Sequence, residues 1–404
     1  MWQLISNELY KIIKKKKFWI TFLVFLIIFI GYSMIQYSSE KKYSNPKERI
    51  AMDKLQINME KKDLNGKSTS ATGKKSIRNN IATYEKDIKE LKKEEESKNV
   101  DWQLRLRKEL MEKKHEYIRD KGRGKNADAE KVNVKVLEDE YDQNNNINPY
   151  DKTGDSALSA FLNSKAFIQI LVVFIIIAVL TSDIVSSEYS PATIKMLLSK
   201  PVSRVKILIS KFVAILFANI FVIGLPQLIT YFVLSFMDGF ENLSQPISIG
   251  TIYQYDSSVI LSNHEIGVSP ILGSSYLITE GRYLLYLALL DVLFILASVA
   301  ICFLISVLIK NSAVTIGTSV GVGLVMSIIG LMTLEGAVPK LLSAVTPFLI
   351  MTYSSTDLLL SGGMASRANN PSITVSTGIL VFIIYTVVCF GISTFVFSRK
   401  DMLA

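Results

Sequence analysis

Two cysteines and two histidines are all that 404 residues offer of thiol and imidazole groups, whether as metal ligands or as catalysts. Cys302 and Cys389 lie inside apolar runs, with no CxxC and no Cys/His cluster, so neither a disulfide framework nor a zinc site can be read. We read both as small packing residues. His115 and His264 are isolated and are read as surface residues. Also missing are a G-x-S-x-G elbow, an H-E-x-x-H helix and a carboxylate pair tied to a pocket-forming pattern, which leaves hydrolase and metalloenzyme chemistry little to work with. The stretch "GKST" at Gly66 to Thr69 is only half of a phosphate-binding loop. Lys61 stands where the first glycine of G-x-x-x-x-G-K-[ST] belongs, and no buried strand precedes it. The chain is therefore expected to hydrolyse no nucleotide itself and to carry no cofactor or metal of its own.

Charge is not scarce overall, at 20% of residues with a net charge of +9, yet several windows of about 20 residues are almost free of it. Apolar runs of that length cross the hydrocarbon of a bilayer as helices. Six are present, at 18–36, 166–185, 207–236, 282–309, 312–334 and 377–397. The expected fold class is an all-α polytopic membrane protein. The first run follows Lys14 to Lys17 but offers no small-x-small cleavage site, and is read as an uncleaved anchor.

Lysine and arginine in short loops set orientation. Lys11 and Lys14 to Lys17, the loop at 186–206, Lys310 and the Arg399–Lys400 pair in the tail at 398–404 all fall inside if six spans leave both ends cytosolic. The loops at 237–281 and 335–376 then lie outside, as does the segment at 38–163, whose length exempts it from the charge rule. That segment is lysine-rich and also strongly acidic, and no nucleic-acid fold accompanies the positive balance. Ile77, Ile81, Tyr84, Ile88 and Leu91 form one helical stripe in it, and Ile50, Ile57 and Leu64 repeat by seven. Leu106, Leu110 and Tyr117–Ile118 suggest a further helix, and Val132 to Tyr141 another. A helical extracytoplasmic domain of hairpins or short coiled coils is expected; the same composition also suits a partly disordered charged linker.

Polar residues inside the spans are informative because a charge in hydrocarbon is costly unless paired or hydrated. Asp291 lies well inside the fourth run, while Asn219 and Gln227 flank the helix-interrupting Pro226 in the third. They are candidates for a translocation path or an inter-subunit seam, or for ordinary interhelical hydrogen bonds. The amino-terminal residues 1–17 place Trp2, Ile5, Leu9 and Ile12 on one face beside a basic cluster, as in an amphipathic helix at the cytosolic membrane surface.

Between the second and third spans lies "SSEYSPATIKMLLSKPVSRVKILISK", from Ser186 to Lys211. Ser190 suits a helix N-cap and Pro191 the first helical position. Ile194, Leu197 and Leu198 form one face, Pro201 ends the helix, and Ser203 can start the next. This stretch resembles the first cytosolic loop of ABC-2-type transporter permeases. Glu188, Thr193, Ile194, Lys195, Leu197, Leu198, Pro201, Ser203, Arg204 and Lys211 match the family pattern, and Ala192 replaces its usual glycine. "NELYKIIKKKKFW", "KNSAVTIGTSVGVGL" and "FVFSRKDML" resemble its amphipathic amino-terminal helix, its turn between spans four and five, and its carboxyl terminus. The insertion at 38–163 departs from the minimal pattern.

The resemblance implies a permease subunit of a bacterial cytoplasmic-membrane exporter that pairs with a second, identical or related permease and with cytosolic ATPase subunits. The helix at 190–200 would be the coupling helix, with Glu188 and Arg204 fixing its ends, and ATP and magnesium would bind only to the ATPase. Cargo in that family includes peptides, lipids, drugs and polysaccharide, and a few members are assigned to sodium extrusion. Two other classes fit the residues: a membrane-anchored sensor or scaffold working through the 38–163 domain, and an ion-coupled secondary transporter using Asp291. The lack of obvious inverted repeats speaks weakly against the latter.

Overall fold

The computed structural model describes residues 1–64, 71–96, 101–151, 153–189, 203–261 and 265–399. Six helices in it are long and apolar enough to cross a membrane: Lys16–Lys42, Asp155–Glu188, Arg204–Asp238, Glu280–Leu308, Ser312–Leu334 and Val375–Arg399. Each falls on one of the six apolar runs. The second starts some eleven residues before its run, because Asp155 to Ser164 are polar only in part and pack among neighbouring helices. This second span is the most enclosed, with 72% of its most apolar window buried, against 28% and 22% for the fifth and sixth. Span one lies against spans two and three, the inner part of span two lies against spans four and five, and span four pairs with span six.

Helix α1 (Trp2–Lys14) precedes α2 (Lys16–Ser44), which carries span one. Ile12 is buried and Ile5 and Leu9 pack against the core, so the amphipathic face exists, but Trp2 points away from it and is exposed. Beyond α2 come two helical hairpins, α3 (Pro46–Leu64) with α4 (Ala71–Glu96), and α5 (Trp102–Gly122) with α6 (Asn126–Asn145). Ile57 and Leu91 are buried, as the stripe and the seven-residue repeat require. The α3 helix running up to Leu64 removes any strand before "GKST", and residues 65–70 themselves lie outside the described residues. In the second hairpin Leu106 and Leu110 face Ala129 and Val136 in a small core, whereas Ile118 is exposed and contributes nothing. Lys113 pairs with Asp139 at 2.6 Å and Lys114 with Glu140 at 2.6 Å across it.

The expectation of an all-α chain needs correcting. The protein is mostly helical, at 78%, but the loop after span three folds into two small antiparallel sheets. Strand β1 (Pro246–Ile249) pairs with β4 (Tyr276–Thr279), and β2 (Tyr253–Ile260) with β3 (Ile266–Pro270). Isoleucine, valine and tyrosine dominate these stretches, and such residues fit a pleated, half-buried surface better than a helix. The sheets carry the second hairpin. Glu130 of α6, only 2% exposed, accepts from the Gly273 amide at 2.7 Å, the Ser275 amide at 3.2 Å and the Ser275 hydroxyl at 2.7 Å.

Between spans five and six the chain does not stay at the surface. Ile350 to Ser355 are fully buried, in a stretch of short helical turns leading to the helix at Thr356–Ser361. Irregular backbone survives among membrane helices only when protein groups satisfy it. Here the Thr352 hydroxyl donates to the Thr346 carbonyl at 2.6 Å, the Tyr353 hydroxyl to Pro347 at 2.7 Å and the Ser354 hydroxyl to Met351 at 2.7 Å. Gly378 in span six makes room for it, since a Cβ there would lie 2.8 Å from the Tyr353 ring.

Glu130→Ala is expected to strip the 273–275 turn of its acceptor, at a cost of about 1–3 kcal/mol in local stability. Hydrogen exchange should speed up at Gly273, Ser275 and along α6 while the spans stay protected. Unchanged exchange in α6 would show that Glu130 does not hold the hairpin to the sheets.

Candidate functional site

The second span begins as α7 (Asp155–Ile168), widens into a π-helical turn at Gln169–Val173, and continues as α8 (Phe174–Thr181) to a last 3-10 turn at Ser186–Tyr189. Span three is α9 (Arg204–Asp238), span four α10 (Glu280–Leu308) and span five α11 (Ser312–Leu334). The second span holds two polar clusters.

Where the span ends, Glu188 is ion-paired with Lys211 of α9. Lys211 is 1% exposed and also reaches Glu8 of α1 at 2.8 Å, while Glu8 holds Lys11 at 2.6 Å. One ammonium thus ties the surface helix, the exit of span two and the start of span three. Burial alone would raise the Glu8 carboxyl, but the charges and hydrogen bonds of Lys211 and Lys11 outweigh it and hold Glu8 below its ordinary value. A second tie joins span one to span two, with Lys17 on Asp183 at 2.8 Å and Lys15 at 3.8 Å. Span four closes the group: the Ser306 hydroxyl accepts from the Val185 amide at 3.1 Å and the Ser186 amide at 3.2 Å. Ser203 is the N-cap residue of α9 and Arg204 its first helical residue. Thr193, Ile194, Lys195, Leu197, Leu198 and Pro201, together with Ser190 and Pro191, lie outside the described residues.

The other cluster is deep among the spans. Asp291 of α10 receives Lys165 of α7 at 3.0 Å, Gln169 at 2.9 Å and the Thr356 hydroxyl at 3.0 Å. Lys165 donates also to Thr356 at 2.7 Å, and the side chains of Lys165 and Asp291 are 5% and 8% exposed. Thr356 opens α12 (Thr356–Ser361), at the end of the buried stretch between spans five and six. The charge in hydrocarbon that the sequence required to be paired is therefore paired, and three donors converge on it. Gln169 is also the first residue of the π-helical turn, and its Oε1 is buried without a partner. Widened turns of this kind concentrate where a helix must present a side chain off its regular phase.

The sequence placed Lys165 one residue before span two, and so did not count it as an intramembrane charge. The signal was there in the spacing, since Lys165 and Gln169 stand four apart and share a helix face. Nothing local marked Thr356. Asn219 and Gln227 do not join this cluster among the described residues. Asn219 is fully buried and donates to the Thr181 hydroxyl at 3.1 Å and to the Ile215 carbonyl at 2.8 Å, an interhelical bond between spans two and three. Gln227 is half-buried with an unpartnered Nε2. Cys302 and Cys389 are free and buried in the main apolar core.

The two clusters are about 23 residues apart along one helix, or roughly 35 Å at about 1.5 Å per residue. Neither has a nucleophile activated by a neighbouring base. What the arrangement offers is mechanical: one enclosed helix, gripped by ion pairs at its Glu188 end and again deep in its first half.

The family model described as ABC-2 family transporter protein matches residues 2–402. No curated protein matches the chain.

Removing one partner of the deep pair should be far worse than removing both. Lys165→Met strands a carboxylate and is expected to cost about 3–5 kcal/mol. Lys165→Met with Asp291→Leu should recover most of that loss, measured as thermal midpoints of the purified protein in detergent. Equal losses in the single and double variants would mean that packing, not charge pairing, holds these helices.

Proposed function

Because the chain belongs to the ABC-2 family of transporter proteins, we propose that it is the permease subunit of an ATP-driven exporter, served by ATPase subunits on separate cytosolic chains. The supporting observation is the Glu188 cluster. Lys211, Glu188 and Glu8 tie together the two spans that flank residues 190–202 and the surface helix beside them. A push on that segment would reach three helices at once instead of being absorbed by a slack loop.

In this reading both termini and the 186–206 loop face the cytosol, and the 38–163 domain and the sheets face outward, in a bacterial cytoplasmic membrane. The helix at 190–200, with Ile194, Leu197 and Leu198 on its apolar face and Thr193, Lys195 and Pro201 beside it, docks on the ATPase. Glu188 and Arg204 hold its ends. ATP and magnesium belong to the ATPase, and a second permease, identical or related, completes the transporter. Movement of the ends of span two is carried along it to the Lys165–Asp291 cluster, which would then sit beside the cargo path. The cargo class is hydrophobic or amphipathic: a peptide, lipid or drug.

Leu197→Asp should abolish stimulation of the ATPase by cargo while insertion and thermal stability stay normal. Lys211→Met should weaken coupling about ten- to a hundredfold, on the scale of losing one buried charge-assisted contact. Both are read as cargo-stimulated ATP hydrolysis in proteoliposomes holding permease and ATPase. Full stimulation in Leu197→Asp would remove the 190–200 helix from the coupling route, and failure of any ATPase to co-purify with the wild-type chain would overturn the exporter reading.

A further inference from the structure

The ends of spans two, three and four remote from Glu188 meet around two glutamates. Glu241 follows α9 in the turn after Gly239, and Glu280 is the first residue of α10. The backbone leaves them little freedom. The Glu280 amide donates to the Gln245 carbonyl at 2.9 Å and the Gly281 amide to the Leu243 carbonyl at 3.0 Å, which staples the segment after Glu241 to the start of span four. On the other side Gly154, at φ +87°, lies against Glu241 so closely that a Cβ would be 2.6 Å from its backbone nitrogen.

Within this clamp Glu280 is 4% exposed, and its Oε2 and the Oε2 of Glu241 are both buried without a hydrogen-bond partner when each group is counted as a carboxylate. Neither forms an ion pair with a lysine or arginine among the described residues. Lys41, at the same end of the spans, is engaged with Asp238 at 3.9 Å and Tyr37 at 2.9 Å. The other titratable groups facing the pair are Asp155, the first residue of α7, Tyr231 of α9 and Tyr283, one turn into α10 beside Glu280. Helix N-termini favour negative charge, so α7 and α10 tolerate Asp155 and one more anion; a further charge in the same buried clamp is repelled. A single proton converts that repulsion into an O–H···O⁻ hydrogen bond between the two carboxyl groups.

We propose that Glu241 and Glu280 share one bound proton, and that this carboxyl–carboxylate pair is a proton-binding lock joining spans two, three and four. Burial, then the charges of Glu280 and Asp155, push Glu241 up to about 8. The sign follows from linkage. The folded protein holds a proton that the unfolded chain releases near the ordinary glutamate value of 4.5, so the stability it brings is lost as pH rises from there through about 8. Above that the pair is doubly charged and the lock is loosened.

The test uses the full-length protein in lipid nanodiscs, followed by infrared absorption of protonated carboxyls and by thermal midpoint from about pH 5 to about pH 9. The wild type should show a protonated-carboxyl band at neutral pH that disappears on passing about pH 8. Its unfolding equilibrium should shift by up to about tenfold per pH unit in that window. Glu241→Gln and Glu280→Gln should each lose the band, flatten the profile, and exceed the wild-type midpoint at the alkaline end. Profiles that run parallel in wild type and both variants, or a wild-type spectrum at neutral pH that neither variant changes, would overturn the shared proton. If Glu241→Gln does not fold, the band in wild type against Glu280→Gln decides alone.

Discussion

Bringing Lys165 and Asp291 together inside the apolar body is the constraint around which the spans are arranged. Neither charge could be left there alone, since each would forfeit several kcal/mol of hydration. The pair therefore links α7 to α10 through their side chains, and its remaining hydrogen-bond capacity draws in Gln169 and Thr356. Thr356 in turn anchors the end of the buried stretch of short helical turns between spans five and six. Three segments distant in sequence are tied by the needs of two side chains.

The Glu188 cluster is arranged differently. Lys211 is as enclosed as Lys165, but its partners Glu188 and Glu8 keep 22% and 13% of their side chains exposed, against 8% for Asp291. Partial hydration of the carboxylates lowers the cost of parting them from Lys211, while the ammonium itself still needs a partner. The second span, the most enclosed of the six, connects the two clusters.

Much of this was legible in residue order. Spans could be read because hydrocarbon demands about 20 apolar residues in a row, a signal that no local exception erases. Asp291 could be read as a residue in need of a partner for the same reason. Lys165 could not, because its charge itself ended the apolar run used to define the span. The strands at 246–279 were hidden in a segment read only as a loop between spans, although Ile247, Ile249, Tyr253 and Tyr255 alternate with smaller or more polar neighbours in the way a half-buried strand does. Glu130 carried no signal at all among so many charged neighbours, since only the fold shows which carboxylate is enclosed. Thr193 to Pro201, the residues most specific to the family, stand outside the described part of the fold, so their roles rest on pattern and on the geometry of what flanks them.

The π-helical turn at Gln169–Val173 sets the azimuth of everything that follows it in the second span. It accommodates the equivalent of one extra residue, and one residue of α-helix is about 100° of rotation and about 1.5 Å of rise. Were that turn to tighten into plain α-helix with Lys165 held fast, Glu188 would swing round the helix axis by more than a quarter turn and leave Lys211 behind. The meeting of Glu188 with Lys211 thus depends on the widened turn as much as on the two charges.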